Sequence, residues 1–88
     1  MKGLFNNDNV IIDGILVGYK LSNAERRIVK AILGGVSNYP TLGKILELSP
    51  NTIKLHMKSI LKKVGVDNKT DLVVTLCEEL VYYKQTGS

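Results

Sequence analysis

The chain has 88 residues, of which 44% are hydrophobic and 23% charged, with a formal net charge of +4 and a pI of about 9.3. This composition is typical of one small globular domain and excludes a disordered chain. The basic balance favours polyanionic partners such as nucleic acid or an anionic membrane surface, and the single cysteine, Cys77, excludes an intrachain disulfide framework, which suits a reducing cytoplasm.

Residues 1–20 are predicted to form an N-terminal extension that contains a short β-hairpin within 10–17. β-Branched residues flank Asp13-Gly14, and Asp-Gly between such runs is a short-range hairpin signal. A helix through the same residues is the alternative, and Gly14 and Gly18 would weaken it. The longest apolar run is too short to span a bilayer, and the start lacks the pattern of a signal peptide, so we expect no membrane segment.

The main domain is predicted to cover residues 21–88, and its first helix, 23–33, begins at a capping box. The Ser22 hydroxyl can accept from the Glu25 amide, and the Glu25 side chain can reach back to the Ser22 amide. Apolar residues then recur at helical spacing until a Gly-Gly pair ends the helix.

Two more helices follow with only a few residues between them. The second is predicted over 41–47, and the third over 50–64, where Ser49 is the N-cap and Pro50 occupies the first helical position. Gly43 inside the second helix is costly unless another backbone segment comes close there. The short gap forces a steep crossing of the two helices, which is the helix-turn-helix arrangement.

The third helix carries one apolar side and one basic side. The apolar residues recur at helical spacing and are predicted to face inward: Ile53, Met57, Ile60, Leu61 and Val64. Lys54, Lys58 and Lys62 then lie outside, with Leu55 beside them. In a helix-turn-helix domain the second helix enters the major groove, where lysine can bind guanine or phosphate and an apolar side chain can contact a thymine methyl. The alternative is a lysine face that is only solvated.

The last helix, predicted over 71–83, has more apolar residues than one buried side requires. The surplus consists of Val74, Cys77 and Val81, which are predicted to be buried against another chain. The alternative is that the N-terminal segment covers them. Cys77 is expected to act as a small apolar residue.

From Leu21 to Val74 the chain resembles the LuxR/GerE-type helix-turn-helix DNA-binding domain of bacterial transcription regulators. The segments LSNAERRIVKAILGGVSN, SPNTIKLHMKSILKKVGV and DNKTDLV carry the resemblance. It implies an all-α fold of four helices after the N-terminal extension, a last helix that pairs two protomers, and a cytoplasmic protein at the bacterial nucleoid. The chain departs from the family pattern by one extra residue within 39–41, by Gly43 in place of alanine, and by the lack of a proline near Ser22.

The resemblance also implies which residues contact DNA. Lys54, Leu55 and Lys58 would face the bases or nearby phosphates, and Thr52 would contact the backbone near the start of the third helix, where free amides favour phosphate. On their charge alone, Lys62 near the end of that helix and Lys69 after it are predicted to contact the DNA backbone. The full predicted DNA-binding set is Ser37, Asn51, Thr52, Lys54, Leu55, Lys58, Lys62 and Lys69.

The sequence contains no catalytic dyad, phosphate-binding glycine loop or metal-ligand spacing, so we expect no enzyme activity, cofactor or metal. His56, the single histidine, is expected to pack against neighbours or contact the DNA backbone. The predicted function is a sequence-specific, double-stranded DNA-binding transcription regulator that acts as a homodimer. The activity of this regulator would be set by its abundance in the cell, or by a regulatory protein that docks on residues 1–20. The alternative is a protein-protein interaction module that uses the same fold to pair with another regulator.

Overall fold

The computed structural model describes residues 6–36 and 38–86, and within them the chain forms five helices and no strand. In chain order they are α1 (Asn6–Gly18), α2 (Asn23–Leu33), α3 (Tyr39–Leu46), α4 (Pro50–Val64) and α5 (Lys69–Thr86). Helix α4 packs against α2, α3 and α5, and α1 packs against α5. All five helices contribute to one apolar core, which includes Leu16, Ile28, Val29, Leu42, Ile53, Ile60 and Leu72. The prediction of an all-α helix-turn-helix fold is confirmed.

The β-hairpin predicted within residues 10–17 is wrong, because these residues belong to α1. Ile12, Ile15 and Leu16 lie on one side of that helix and are buried in the core. Their i, i+3, i+4 spacing is a helical pattern, and burial against distant helices outweighs the local preference of β-branched residues for strands. Gly14 lies on the opposite side of α1, where a Cβ would meet only open space.

Helix α1 is joined to α5 and α2 by polar contacts as well as by the core. Tyr19, just after the helix, donates a hydrogen bond to Glu79 on α5, and Asp13 pairs with Lys30 on α2. The hydrogen bond to the Glu79 carboxylate, together with burial and nearby negative charge, raises the pKa of Tyr19 to about 12. Lys20 then turns the chain into α2 in a left-handed conformation, with φ of 63°.

A buried carboxylate, Glu25, connects the start of α2 to the end of α4. Its Oε1 accepts from the Ser22 amide at 2.8 Å, which confirms the predicted capping box, and from Lys63 Nζ at 2.7 Å. Lys63 Nζ also lies 3.3 Å from the carbonyl oxygen of Lys20. Burial alone would raise the pKa of Glu25, but hydrogen bonds from Lys63, Ser22 and Ser59 outweigh it and lower the pKa to about 2. Lys63 therefore ties the end of α4 to the α1–α2 junction.

The turn between α3 and α4, residues 47–49, depends on a close approach of two backbone segments. The Leu48 amide donates to the Gly43 carbonyl at 2.9 Å, and a Cβ at position 43 would collide with the Leu48 carbonyl oxygen. Glu47 ends α3 in a left-handed conformation with φ of 58°. The expected reason for a glycine at position 43 is confirmed, because another backbone segment occupies the space of a side chain.

The helix bounds follow the capping residues. Helices α2 and α4 have their predicted limits. Helix α3 begins at Tyr39 rather than at residue 41, because the Asn38 side chain accepts from the Thr41 amide at 2.8 Å. Helix α5 is longer than predicted at both ends, and the Asn68 side chain accepts from an amide of its first turn at 2.8 Å.

We expect Glu25→Gln to lower the free energy of unfolding by about 2 kcal/mol near neutral pH, because the amide loses the charge-assisted bond to Lys63. The folded pKa of Glu25, about 2, lies below its ordinary value of 4.5. The ionised form therefore stabilises the fold fully above pH 4.5, and this contribution, on the order of 3 kcal/mol, is lost as the pH falls through the folded pKa.

Urea unfolding of the wild type and E25Q across the acidic range measures both effects. The exposed Glu78→Gln exchange is the matched control and should change neither the stability nor its pH dependence by more than about 0.5 kcal/mol. An E25Q variant that loses stability with acid as steeply as the wild type would contradict the role assigned to the Glu25–Lys63 pair.

Gly43→Ala should destabilise the protein although alanine favours helices. The helix-propensity gain is about 1 kcal/mol, whereas a Cβ in the space of the Leu48 carbonyl forces the α3–α4 turn to move, for an expected net loss of roughly 1–3 kcal/mol. Gly14→Ala is the matched control, because its Cβ would enter open space, and it should gain up to about 1 kcal/mol. Equal gains for both variants in thermal unfolding would show that the turn tolerates a side chain at position 43.

Candidate nucleic-acid interface

The rotation of α4 about its axis decides which of its side chains meet solvent. Ile53, Met57 and Ile60 are buried in the core. Successive residues of an α-helix are rotated by about 100° about its axis. With this rotation, five exposed residues of α4 fall on the side opposite to the buried residues, within an arc of roughly 100°. This outer face of α4, as we name it, consists of Asn51, Lys54, Leu55, Lys58 and Lys62.

The outer face of α4 combines three ammonium groups with one large apolar side chain. Leu55 is 70% exposed between the lysines. Like charges four residues apart destabilise a helix by a few tenths of a kcal/mol per pair, and the salt bridges within the described residues involve Lys30 and Lys63 rather than these three lysines. This surface therefore remains positively charged and carries an apolar group suited to contact with a partner.

The start of α4 is capped by side chains and leaves a backbone donor. Ser49 Oγ accepts from the Thr52 amide at 3.1 Å and lies 2.9 Å from the Thr52 hydroxyl. Pro50 occupies the first helical turn and has no N–H. The Asn51 amide is thus the first-turn donor that this cap does not use, and the partial positive charge of a helix N-terminus favours an anion there. Thr52 itself is half-buried beside the outer face.

Besides Thr52, two residues of the predicted DNA-binding set do not belong to the outer face of α4. Lys69 begins α5, and its Nζ lies 5.2 Å from the centroid of the Tyr39 ring at the start of α3. At this distance the ammonium group is attracted by the ring, so its charge lies beside the start of α3. Ser37 lies outside the described residues.

Lys63 has a structural role that the sequence reasoning missed. It follows Lys62 directly, but the rotation of about 100° between them turns Lys63 away from the outer face and toward Glu25. The signal for this difference was its position three residues after Ile60, close to the buried side of the helix. Neighbouring lysines of one helix thus have different surroundings, and only Lys63 of these two pairs with Glu25.

Helix α5 carries a second exposed set, which we name the outer stripe of α5: Val74, Cys77 and Val81. These residues lie on the side opposite to the buried Leu72 and Leu76. Val74 is 49% exposed and Val81 is 52% exposed. Helix α1 packs on α5 but leaves the outer stripe uncovered, so the alternative in which residues 6–20 bury this stripe is wrong.

The remaining candidate residues show no further cluster. His56 is half-buried on α4. Within the ranges 6–36 and 38–86, no group of three or more His, Cys, Asp or Glu side chains could hold a metal ion. In the same described part of the chain, no helix has the length and apolar content needed to cross a bilayer.

The comparison with protein families agrees with this geometry. The family model described as "Bacterial regulatory proteins, luxR family" matches residues 19–76, which is more than half of the chain. That range contains α2, α3 and α4 entire, together with the first turns of α5. No curated protein and no solved structure shows significant similarity to the chain.

Proposed function

Because the chain belongs to the luxR family of bacterial regulatory proteins, we propose that it is a sequence-specific transcription regulator that binds double-stranded DNA as a homodimer. The observation that carries the proposal is the outer face of α4, where Leu55 and three lysines project from the second helix of a helix-turn-helix. We infer that the protein acts by binding rather than by catalysis, in the bacterial cytoplasm at the nucleoid.

In the proposed complex, α4 lies in the major groove. Lys54, Leu55 and Lys58 project from its N-terminal half, the part of a recognition helix that reaches base edges. Lysine can donate to guanine O6 or N7, and the Leu55 side chain can contact a thymine methyl. The exposure of all three residues supports this assignment.

Phosphate contacts would fix the position of α4 in the groove without reading sequence. The Asn51 amide and the Thr52 side chain would bind a phosphate at the start of the helix. Lys62 lies about two helical turns after Lys54 and would reach the DNA backbone at the other end of α4. Lys69 is proposed as a further backbone contact near the start of α3, and Ser37, from the sequence alone, as another backbone contact.

A homodimer through the outer stripe of α5 would present two copies of α4. Two protomers related by a two-fold axis fit two half-sites of an inverted repeat about one helical turn apart. Val74 and Val81 are both about half exposed, and pairing would bury them with Cys77. The surface area that a single helix can bury is small for a stable dimer interface. We therefore expect DNA binding to stabilise the dimer.

We expect Lys58→Ala to weaken binding to a selected genomic fragment and to flatten its salt dependence. If Lys58 contacts a phosphate, the slope of log K against log salt should become shallower by about 0.9 per protomer, or about 1.8 for the bound homodimer. Arg27→Ala, an equal loss of charge at an exposed position on α2, is the control and should leave the slope unchanged. Fluorescence anisotropy at several salt concentrations measures both slopes.

The Lys54/Leu55/Lys58 triple alanine variant provides the stricter test of the same face. It should lose preference for the selected fragment over random DNA, because it lacks every proposed base contact. A mobility shift equal to that of the wild type would refute the assignment of the outer face of α4 to DNA.

Val74→Asp should shift the protein toward monomer, because pairing would bury two carboxylates against the partner's apolar stripe. We expect self-association, measured by sedimentation equilibrium, to weaken at least about tenfold. Val17→Asp makes the same exchange at a similarly exposed valine on α1 and should leave self-association unchanged. A dimer that survives V74D and V81D would exclude the outer stripe of α5 as its interface.

A second candidate function is a protein-protein interaction module that pairs with another regulator. The exposed Val10 and Val17 on α1 favour it, because DNA binding by α4 does not use them. Residues 1–20 would then be the extension on which a regulatory protein docks. A module of this kind should lose DNA as salt rises and show no preferred sequence among genomic fragments.

A further inference from the structure

A groove between the outer sides of α1 and α2 carries a surplus of positive charge. Its lining residues are Asp13, Val17, Asn23, Arg26, Arg27 and Lys30. Three cations therefore face one carboxylate. All six residues lie on α1 and α2, so the groove is separate from the outer face of α4 and from the outer stripe of α5.

The fold uses part of this charge and leaves the rest turned outward. Lys30 pairs with Asp13, which offsets the one carboxylate of the groove. Arg26 donates to the Leu21 carbonyl at 2.7 Å and to the Asn23 side chain, and these contacts fix its guanidinium near the start of α2. Arg27 is exposed on the same side of α2, so Arg26 and Arg27 provide the remaining positive charge.

An apolar strip on α1 borders this charge. Val10 is 72% exposed and Val17 is 57% exposed, and their i, i+7 spacing places them on one side of the helix, roughly 10 Å apart. Gly14 lies between them, and a Cβ there would meet nothing within 4 Å. A partner side chain can therefore come close to the α1 backbone between the two valines.

We propose that this groove binds an acidic, amphipathic helix of a partner protein. Two apolar side chains of the partner, seven residues apart, would pack on Val10 and Val17 and bridge the gap at Gly14. Carboxylates on one flank of the partner would pair with Arg26 and Arg27. This is helix-in-groove recognition, in which apolar anchors supply affinity and charge selects the partner.

Other occupants fit these residues less well. DNA phosphates would meet Asp13 and gain nothing from the exposed valines. A second copy of this chain, paired through the same groove, would bring the arginines of both protomers together, because a two-fold contact sets each patch against itself. The proposal gives the chemistry of the regulatory partner suggested for residues 1–20, and it does not depend on DNA binding by α4.

The test uses a synthetic peptide of about 16 residues, long enough to form a marginal helix, with leucines at i, i+3 and i+7 and glutamates beside them. A scrambled peptide of equal composition, with no apolar side, is the control for charge alone. In anisotropy titrations of the full chain, the amphipathic peptide should bind saturably and at least about tenfold more tightly than the scrambled one.

Variants of the protein locate the binding. Val17→Asp and Arg27→Glu should each weaken the amphipathic peptide about tenfold. Ile45→Asp, which places the same carboxylate at an exposed apolar position of α3, should bind the peptide as the wild type does. Circular dichroism of V17D should show an unchanged helical fold, because Val17 lies at the surface.

Three results would overturn the proposal. Equal affinity for the two peptides, or undiminished binding by V17D, would show that no specific groove exists. Weaker self-association of V17D would show that the valines of α1 contact a second copy of the chain. A shallower salt slope of DNA binding in R27A would assign the arginines to phosphate. The K54A/L55A/K58A variant should keep peptide affinity, so failure of the DNA proposal and failure of this one are distinguishable.

Discussion

The rotation of α4 about its own axis is the constraint on which the candidate interface depends. Ile53, Met57 and Ile60 are all but fully buried, and burial of each such side chain contributes about 1.5–3 kcal/mol. A rotation by one residue would carry Lys54 toward the core, where an unpaired ammonium group costs several kcal/mol. The burial of the apolar side chains and the cost of burying the Lys54 ammonium group favour the same rotation. Lys54, Leu55 and Lys58 therefore point outward as a consequence of packing.

The position of α4 along its axis is determined at its two ends. At the start, the α3–α4 turn closes only because Gly43 leaves room for the Leu48 carbonyl. At the end, Lys63 holds Glu25 and the Lys20 carbonyl. In the Glu25–Lys63 pair the carboxylate is buried and the lysine is partly exposed, and desolvation of the carboxylate offsets part of the attraction. The pair also has a geometric effect, because it joins the end of α4 to the α1–α2 junction.

Local signals in the sequence were sufficient for most of the helices. Ser22, Asn38 and Ser49 cap α2, α3 and α4 through hydrogen bonds to residues three positions later, so their pattern is readable from a short window. The spacing of buried residues in α4 was equally local, and it predicted the outer face correctly as a surface. What binds there is not readable in the same way, because exposure alone does not name a partner.

The errors of prediction arose where distant residues decide the structure. Asp13-Gly14 is a strong local signal for a hairpin, but Ile12 and Leu16 pack into a core built from helices later in the chain. Lys63 finds its partner Glu25 across 38 positions, a distance at which spacing rules carry no information. A count of charges along α4 would therefore overstate the number of lysines available for DNA.

The exposed apolar strips of α1 and α5 differ in their charge, and this difference bears on what each can bind. Helix α5 carries charges of both signs that are close to balanced, with Lys69 and Lys84 among Asp71, Glu78 and Glu79, so two copies of its outer stripe would meet with little net repulsion. The strip on α1 borders the cationic groove, whose one lining carboxylate, Asp13, is already paired. Self-complementarity is a requirement of a two-fold interface. The α5 stripe can satisfy it and the α1 strip cannot, which favours a copy of the chain on α5 and a different, acidic partner on α1.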